Sequence, residues 1–181
     1  MEDDLQLAKR IADGDGAAEE TLVERLYRPV YLAVRHLTWS REDAEDLTQQ
    51  TFVLVKQNIK QYRGKSSLKT WVMKIAYREY LRGKKSKRLD VGREEAILES
   101  GYQNFETAAW LMEILSVLPA KQREAFVLVE VESLPIQDVA KIMGIPSGTV
   151  KTRCFHARRA LQKKIEEEEQ LVKNVIRIQE S

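Results

Sequence analysis

The residues best suited to chemistry in this 181-residue chain are cations and aromatic rings that occur together in one block. Residues 63–88 hold ten basic side chains and one acidic side chain. Four aromatic residues interleave with these cations, namely Tyr62, Trp71, Tyr77 and Tyr80. Cations pair with phosphates, and aromatic rings stack on unpaired bases. The block is therefore typical of a surface that holds single-stranded nucleic acid. The alternatives are a solvated helix face for the charges and a core position for Trp71.

A second set of exposed polar residues is predicted after a tight turn at Gly144-Ile-Pro-Ser147, where Gly144 can adopt a positive φ and Ser147 can cap a helix. On the following helix, apolar residues at helical spacing predict a buried stripe: Val150, Cys154, Ala157 and Leu161. The remaining face carries Lys151, Thr152, Phe155, His156 and Arg159. Such a face fits the major groove of DNA. The pattern predicts a helix-turn-helix, and the alternative is an ordinary pair of helices with a basic face.

Helices are predicted to position both sets of residues. Apolar spacing predicts helices over residues 5–12 and 17–37, the second with Leu22, Leu26, Val30, Ala33 and Leu37 inward. Capping patterns predict a helix from Ser40 to about Lys60, and another from Ser66 or Ser67 to about Arg82. Gly83 and the basic run after it are predicted to end this unit.

The second half of the chain has its own predicted helices. Residues 89–106 lack a helical period and are acidic, so we expect a linker there. Helix is preferred to strand over residues 120–132, and Ser133 is predicted to cap the short first helix of the helix-turn-helix. The predicted fold class is all-α, with two small helical domains joined by a linker, the C-terminal one a helix-turn-helix. The expected divisions are residues 1–88, a linker over 89–106, residues 107–165 and a C-terminal tail over 166–181.

Composition excludes several other classes of protein. One cysteine and two histidines disfavour a disulfide framework and a metal site, and we expect no cofactor. No P-loop, paired carboxylates near a histidine or Cys–His arrangement predicts an enzyme. The acidic start and the short apolar stretches disfavour a signal peptide or direct membrane insertion, so the expected location is cytoplasmic.

Three segments in order carry a resemblance to a known family. The first is Asp43-Ala-Glu-Asp-Leu-Thr-Gln-Gln-Thr-Phe52, and the second runs from Tyr62 to Ala76. The third combines Leu118-Pro-Ala-Lys-Gln-Arg-Glu124 with Asp138-Val-Ala140 and with Gly148-Thr-Val-Lys-Thr-Arg153 through Arg158. Together they resemble the extracytoplasmic-function group of sigma-70 transcription initiation factors, over roughly residues 5–88 and 107–165.

The resemblance implies partners and roles for particular residues. The N-terminal domain would bind core RNA polymerase and open the −10 element of promoter DNA, and the C-terminal domain would read the −35 element. Polymerase binding falls on Asp46, Gln49, Gln50 and Val53. Contacts to the −10 strand fall on Tyr62, Arg63, Lys65, Ser66, Ser67, Arg78 and Arg82. Contacts to the −35 duplex fall on Lys151, Thr152, Arg153, Phe155, His156 and Arg158.

The chain departs from the family at Arg78, where asparagine is usual, and at Arg82, where aspartate is common, so the base preference at −10 does not carry over. An anti-sigma factor is expected as a further partner. The competing hypothesis is a stand-alone regulator with a GerE-like helix-turn-helix, which would have no need of residues 43–76.

Overall fold

The structure is a computed structural model, and it describes residues 3–86 and 105–179, with side chains over 3–86 and 110–170. Helices make up nearly all of these residues, and no strand occurs among them. The α-helices are α1 (Asp4–Ala12), α2 (Gly16–Thr38), α3 (Arg41–Asn58), α4 (Leu68–Ser86), α5 (Phe105–Ser116), α6 (Ala120–Phe126), α7 (Ile136–Met143) and α8 (Ser147–Gln179). A 3₁₀ turn (Ile59–Gln61) follows α3, and a π-helical turn (Val127–Val131) follows α6. The all-α prediction is confirmed.

The N-terminal domain consists of α1 to α4 packed around one core. The predicted inward stripe of α2 is buried at all five positions: Leu22, Leu26, Val30, Ala33 and Leu37. Trp39 ends α2 in a left-handed conformation (φ 62°), and the Ser40 hydroxyl accepts a hydrogen bond of 3.1 Å from the Asp43 N–H at the start of α3. These caps fix the angle between α2 and α3.

Helix α4 is longer than the sequence predicts. It continues through Gly83 to Ser86 rather than ending near Arg82. A glycine inside a helix costs about 0.5–1 kcal/mol. Two contacts offset that cost, because Lys84 binds Glu124 of the C-terminal domain at 3.1 Å and the Ser86 hydroxyl donates to the Gly83 carbonyl at 2.9 Å. The remainder of the basic run, at residues 87 and 88, and the expected linker up to residue 104 lie outside the described residues.

The C-terminal domain consists of α5 to α8 and contains the predicted helix-turn-helix. Residues 120–132 are helical as predicted, with the π-helical turn at their end. The capping prediction for Ser133 is wrong: its φ of 55° ends the preceding helix, and α7 instead begins after Pro135. Gly144 adopts the expected left-handed conformation (φ 66°), whereas Ser147 is the first residue of α8 rather than the residue before it.

Helix α8 contains both the second helix of the helix-turn-helix and the tail, without a break between them. It spans 33 residues to Gln179, so the predicted tail continues the last helix. In this tail Leu171, Val175 and Ile178 follow a helical spacing in the sequence, and their side chains lie outside the described set. No helix within residues 3–86 or 105–179 has both the length and the apolar character needed to cross a bilayer.

The two domains contact each other directly. Helix α4 packs against α7, and α2 packs against the π-helical turn. The Arg123 guanidinium lies over the Trp39 ring, 4.7 Å from its centroid. One face of the helix that carries the first basic block is therefore covered by the C-terminal domain.

Candidate nucleic-acid interface

The loop before α4 is held in shape by a buried tyrosine. Tyr62 is buried, its hydroxyl donates a 2.7 Å hydrogen bond to the Ser66 carbonyl, and its ring makes an edge contact with Trp71 at 5.7 Å. Burial, together with the nearby carboxylate of Asp4, raises the pKa of the Tyr62 phenol, so the hydroxyl keeps the proton that it donates. Gly64 turns the loop at a φ of 68°. In this arrangement Tyr62 shapes the loop, and its ring is not free to meet a base.

The start of α4 is capped from two directions. The Ser67 hydroxyl accepts a 3.1 Å hydrogen bond from the Thr70 N–H, which identifies Ser67 rather than Ser66 as the cap. The Asp4 carboxylate of α1 accepts a 2.6 Å hydrogen bond from the Leu68 N–H, and it pairs with Arg25 at 2.6 Å. A carboxylate at a helix N-terminus is favoured by the exposed N–H groups there. Sequence reasoning missed Asp4 because its partner lies 64 residues away.

The cations of this region divide into exposed and covered sets. Arg63 and Lys65 of the loop, and Arg78 and Arg82 of α4, are exposed, and Arg82 pairs with Glu79 on its own helix. Ser67 is exposed and Ser66 is half-buried. Loop and helix therefore present hydroxyls and cations, which are donors suited to phosphate oxygens.

Two of the aromatic residues expected to stack on bases are buried between the domains. Tyr77 and Tyr80 are 4% and 6% exposed, and both hydroxyls donate to Glu124. Burial raises the pKa of both phenols, and the charge of Glu124 raises it further. In this closed arrangement neither ring can stack on a base. Trp71 is half-buried against the core, which agrees with the alternative given for it.

The outer face of α3 carries the four residues predicted to bind polymerase. Asp46, Gln49, Gln50 and Val53 are all exposed, and their spacing places them on one side of the helix. Val53 is 49% exposed, which is unusual for an aliphatic side chain in a polar row. The face therefore combines one apolar residue with hydrogen-bonding groups, as the surface of a protein interface does.

Sequence reasoning missed two residues of α2 beside this face. Val23 and Tyr27 are 38% and 39% exposed, and the Tyr27 ring stacks on Phe52 of α3 at 6.1 Å. Both are apolar residues one position after a buried residue of the α2 stripe. An apolar residue outside the buried stripe was the sequence signal that could have identified these two exposed positions.

The recognition helix has the predicted two faces. Its stripe is buried at all four positions, while Lys151, Thr152, Phe155 and His156 are exposed. Phe155 is 52% exposed, and it lies in contact with the His156 ring (5.6 Å between centroids) and beneath the Arg159 guanidinium (5.8 Å). Polar groups, cations and one aromatic ring therefore lie together on a convex helix surface, which can enter a major groove.

The remaining residues of this helix have more restricted environments. Arg153 is half-buried, and Arg158 is exposed but pairs with Glu130 at the end of the π-helical turn. Cys154 is 1% exposed, and burial raises the pKa of its thiol. A protonated, buried thiol is a core residue rather than a reactive one.

Comparison with protein families identifies both halves of the chain. The family model described as Sigma-70 region 2 matches residues 22–89, and the model described as Sigma-70, region 4 matches residues 108–161. The sigma-E factor of Haemophilus influenzae, named an ECF RNA polymerase sigma factor, is 30% identical over 90% of this chain and 95% of its own length. The RNA polymerase sigma-H factor of Pseudomonas aeruginosa is 28% identical over 92% and 95%.

Solved structures give the same result. The sigma factor RpoE of Bartonella quintana, in complex with the anti-sigma factor NepR, superposes with a TM-score of 0.71 over 81% of this chain and 96% of that one, at 25% identity. CnrH, in complex with the cytosolic domain of CnrY, shares the fold with a TM-score of 0.69 over 91% and 97%, at 22% identity. A stand-alone regulator is not favoured, because the match includes region 2. The chain therefore belongs to the extracytoplasmic-function group of sigma-70 factors, which direct RNA polymerase to promoters and have no enzymatic activity of their own.

Proposed function

We propose that the outer face of α3 is the surface by which this sigma factor binds core RNA polymerase, at the clamp helices of the largest subunit. Asp46, Gln49, Gln50 and Val53 would make these contacts. The support is their joint exposure, together with the exposed Tyr27 ring beside them. An exposed apolar group within a polar row gains most when a protein partner covers it.

The loop over residues 62–67 and the exposed side of α4 capture the opened −10 strand in this proposal. Arg63, Lys65, Ser66 and Ser67 bind the strand at the loop, and Arg78 and Arg82 bind it along the helix. Flipping a base out of the stack costs a few kcal/mol, which several such contacts must offset. Tyr62, which sequence reasoning placed among the strand contacts, acts in the geometry described above by holding the loop that makes them.

The helix-turn-helix reads the −35 duplex in this proposal. Lys151, Thr152, Phe155 and His156 face the base edges, and Arg153 and Arg158 lie nearer the phosphates. The domain limits proposed for these activities are residues 1–88 and 107–165, with a linker over 89–106 and a tail over 166–181. The last two linker residues, 105 and 106, form the start of α5.

An anti-sigma factor is the proposed negative regulator, and the cytoplasm is the proposed location. The support is that RpoE of B. quintana was solved with an anti-sigma factor bound. A sigma factor also has to meet polymerase and the chromosome in the same compartment.

The proposed function rests mainly on one observation. The chain exposes both the outer face of α3 and the polar face at the start of α8. The test of this function is co-elution with bacterial core RNA polymerase on size exclusion. The variant Asp46→Arg with Gln49→Arg should abolish co-elution. The matched control is Asp13→Arg with Gln6→Arg, which makes the same charge change at exposed positions in α1 and just after it.

Two results would contradict the proposal. If the α3 variant and its control co-elute equally well, polymerase binds elsewhere. If the wild-type chain fails to co-elute but still binds duplex DNA specifically, the sigma-factor assignment itself fails.

A further inference from the structure

The first helix of the chain lies against the loop over residues 62–67, to which the proposed function assigns the opened strand. Helix α1 packs against the 3₁₀ turn that leads into this loop and against α4, which follows it. The Leu5 side chain of α1 meets the loop at its turn, since a methyl group added to Gly64 would lie 3.5 Å from Leu5 Cδ1. Helix α1 therefore borders the loop at both ends and at its turn.

Asp4 holds α1 in this position through two interactions. Its carboxylate accepts a 2.6 Å hydrogen bond from the Leu68 N–H, directly after the loop, and pairs with Arg25 of α2 at 2.6 Å. The Asp4 side chain is 19% exposed, so water competes weakly for these bonds. The next residue, Leu5, is thereby held beside the loop.

Leu5 supplies an apolar surface that the loop itself lacks. Residues 63–67 consist of two cations, two hydroxyl residues and a glycine, whose donors suit phosphates rather than the face of a base. The Tyr62 ring is buried, and its hydroxyl is bonded to the Ser66 carbonyl. Leu5 is 49% exposed although it contacts the loop. A base that leaves its stack exposes both of its faces to water, and a leucine side chain can cover part of one face.

We infer that α1 forms one wall of the pocket for the base that is flipped out of the −10 element, with Leu5 packed on the face of the base and Asp4 as the residue that positions this wall. The inference rests on the proposed function, since it adds a contact to the base to the strand contacts of the same loop. Helix α1 precedes the segment that matches Sigma-70 region 2, which begins at residue 22. The matched segment alone therefore lacks one wall of the pocket.

The test separates contacts to bases from contacts to phosphates. One probe is a labelled twelve-nucleotide DNA strand randomised at every position. The other is an abasic strand of the same length and charge, in which tetrahydrofuran sugars replace every nucleoside. Binding of the full chain to each strand is measured by fluorescence anisotropy at fixed salt. The ratio of the two dissociation constants reports the base contacts, because a loss of folded protein lowers binding to both strands equally.

Leu5→Ala should weaken binding to the randomised strand about fivefold and leave binding to the abasic strand unchanged. The matched control is Val117→Ala, which shortens an apolar side chain of similar exposure (41%) in the C-terminal domain and should change neither affinity. Equal affinities of Leu5→Ala and the control for the randomised strand overturn the inference. Equal losses of Leu5→Ala on both strands overturn it as well.

Asp4→Ala tests the positioning role. It should lower the affinity for the randomised strand more than that for the abasic strand, whereas a purely structural role would leave the ratio unchanged. The double variant with Leu5→Ala should lose little more than Leu5→Ala alone, because both changes act on one wall. Losses that add in full would show that Asp4 acts elsewhere and would overturn its positioning role.

Failure of the proposed function gives a different result. Arg63→Gln should weaken binding to both strands, because its guanidinium is assigned to the strand backbone, which both probes share. If Arg63→Gln changes neither affinity, the loop does not capture the strand, and the proposed function fails together with the inference. If Arg63→Gln weakens both and Leu5→Ala weakens neither, only the inference fails.

Discussion

His36 should make the folded chain sensitive to mild acid. It lies in the last turn of α2 and is 1% exposed. Burial, together with a smaller contribution from the charge of Arg35, lowers the pKa of the imidazole from 6.5 to about 4. The helix dipole at this end favours an imidazolium, but by only about 0.3–1 kcal/mol. Burial is the larger effect, so the neutral ring is the folded form.

The size of the effect follows from the two pKa values. One pKa unit corresponds to about 1.36 kcal/mol, so the interval from 6.5 to about 4 amounts to roughly 3 kcal/mol. Between these pH values the unfolded chain binds a proton at His36 and the folded chain does not. Stability therefore rises with pH in this window. The contribution is complete above pH 6.5 and is lost as the pH falls toward 4.

The assay is urea unfolding followed by circular dichroism at several pH values from 7.5 to 4, on the wild-type chain and on His36→Gln. The wild type should lose roughly 3 kcal/mol more than the variant across this range. The measured quantity is the change in the free energy of unfolding with pH. A variant that is less stable at every pH therefore still tests the prediction. Parallel pH dependences would refute the reasoning, as would an imidazole that NMR shows to titrate near pH 6.5 in the folded chain.

Four further predictions concern two glycines, the cysteine and the cap that Asp4 provides at the start of α4. Gly83→Ala should raise the free energy of unfolding by about 0.5–1 kcal/mol in urea melts, because the helix continues through it and no atom lies within 4 Å of the added methyl group. Gly144→Ala should lower it by about 1–2 kcal/mol, because φ is 66° there, and equal effects of the two changes would contradict this reading. Cys154 should resist a thiol reagent at pH 8 in the native chain and react fully in urea, and rapid native labelling would show that the site is open. Asp4→Asn should lower the free energy of unfolding by about 1–2 kcal/mol through its weaker bond to the Leu68 N–H, and normal amide exchange at Leu68 would argue against that cap.

The periodic parts of the fold could be predicted because they depend on neighbours along the chain. The stripes of α2 and α8 repeat at helical spacing, and every predicted inward residue of both is buried. The left-handed turn at Gly144 is likewise a local property. Exposure of the recognition face followed from the same pattern, since residues that do not join the stripe must point away from it.

The contacts between distant segments could not be predicted in this way. Tyr77 and Tyr80 have the composition of a base-stacking surface, but their partner Glu124 lies more than 40 residues away. The extension of α4 past Gly83 depends on the same carboxylate through Lys84. No local sequence pattern encodes a bond between domains. Neither the covered face of α4 nor the end of that helix could therefore be predicted from the sequence.

Because α8 is one unbroken helix, the second helix of the helix-turn-helix is rigidly connected to the tail. The 33 residues of α8 span about 50 Å, with the exposed residues Lys151, Thr152 and Phe155 near one end and residue 179 at the other. A continuous helix transmits rotation along its axis, so a small reorientation on the promoter becomes a large displacement of the far end. The coupling also acts in the opposite direction. A ligand bound to the tail would reorient the helix-turn-helix end of α8 without contacting DNA.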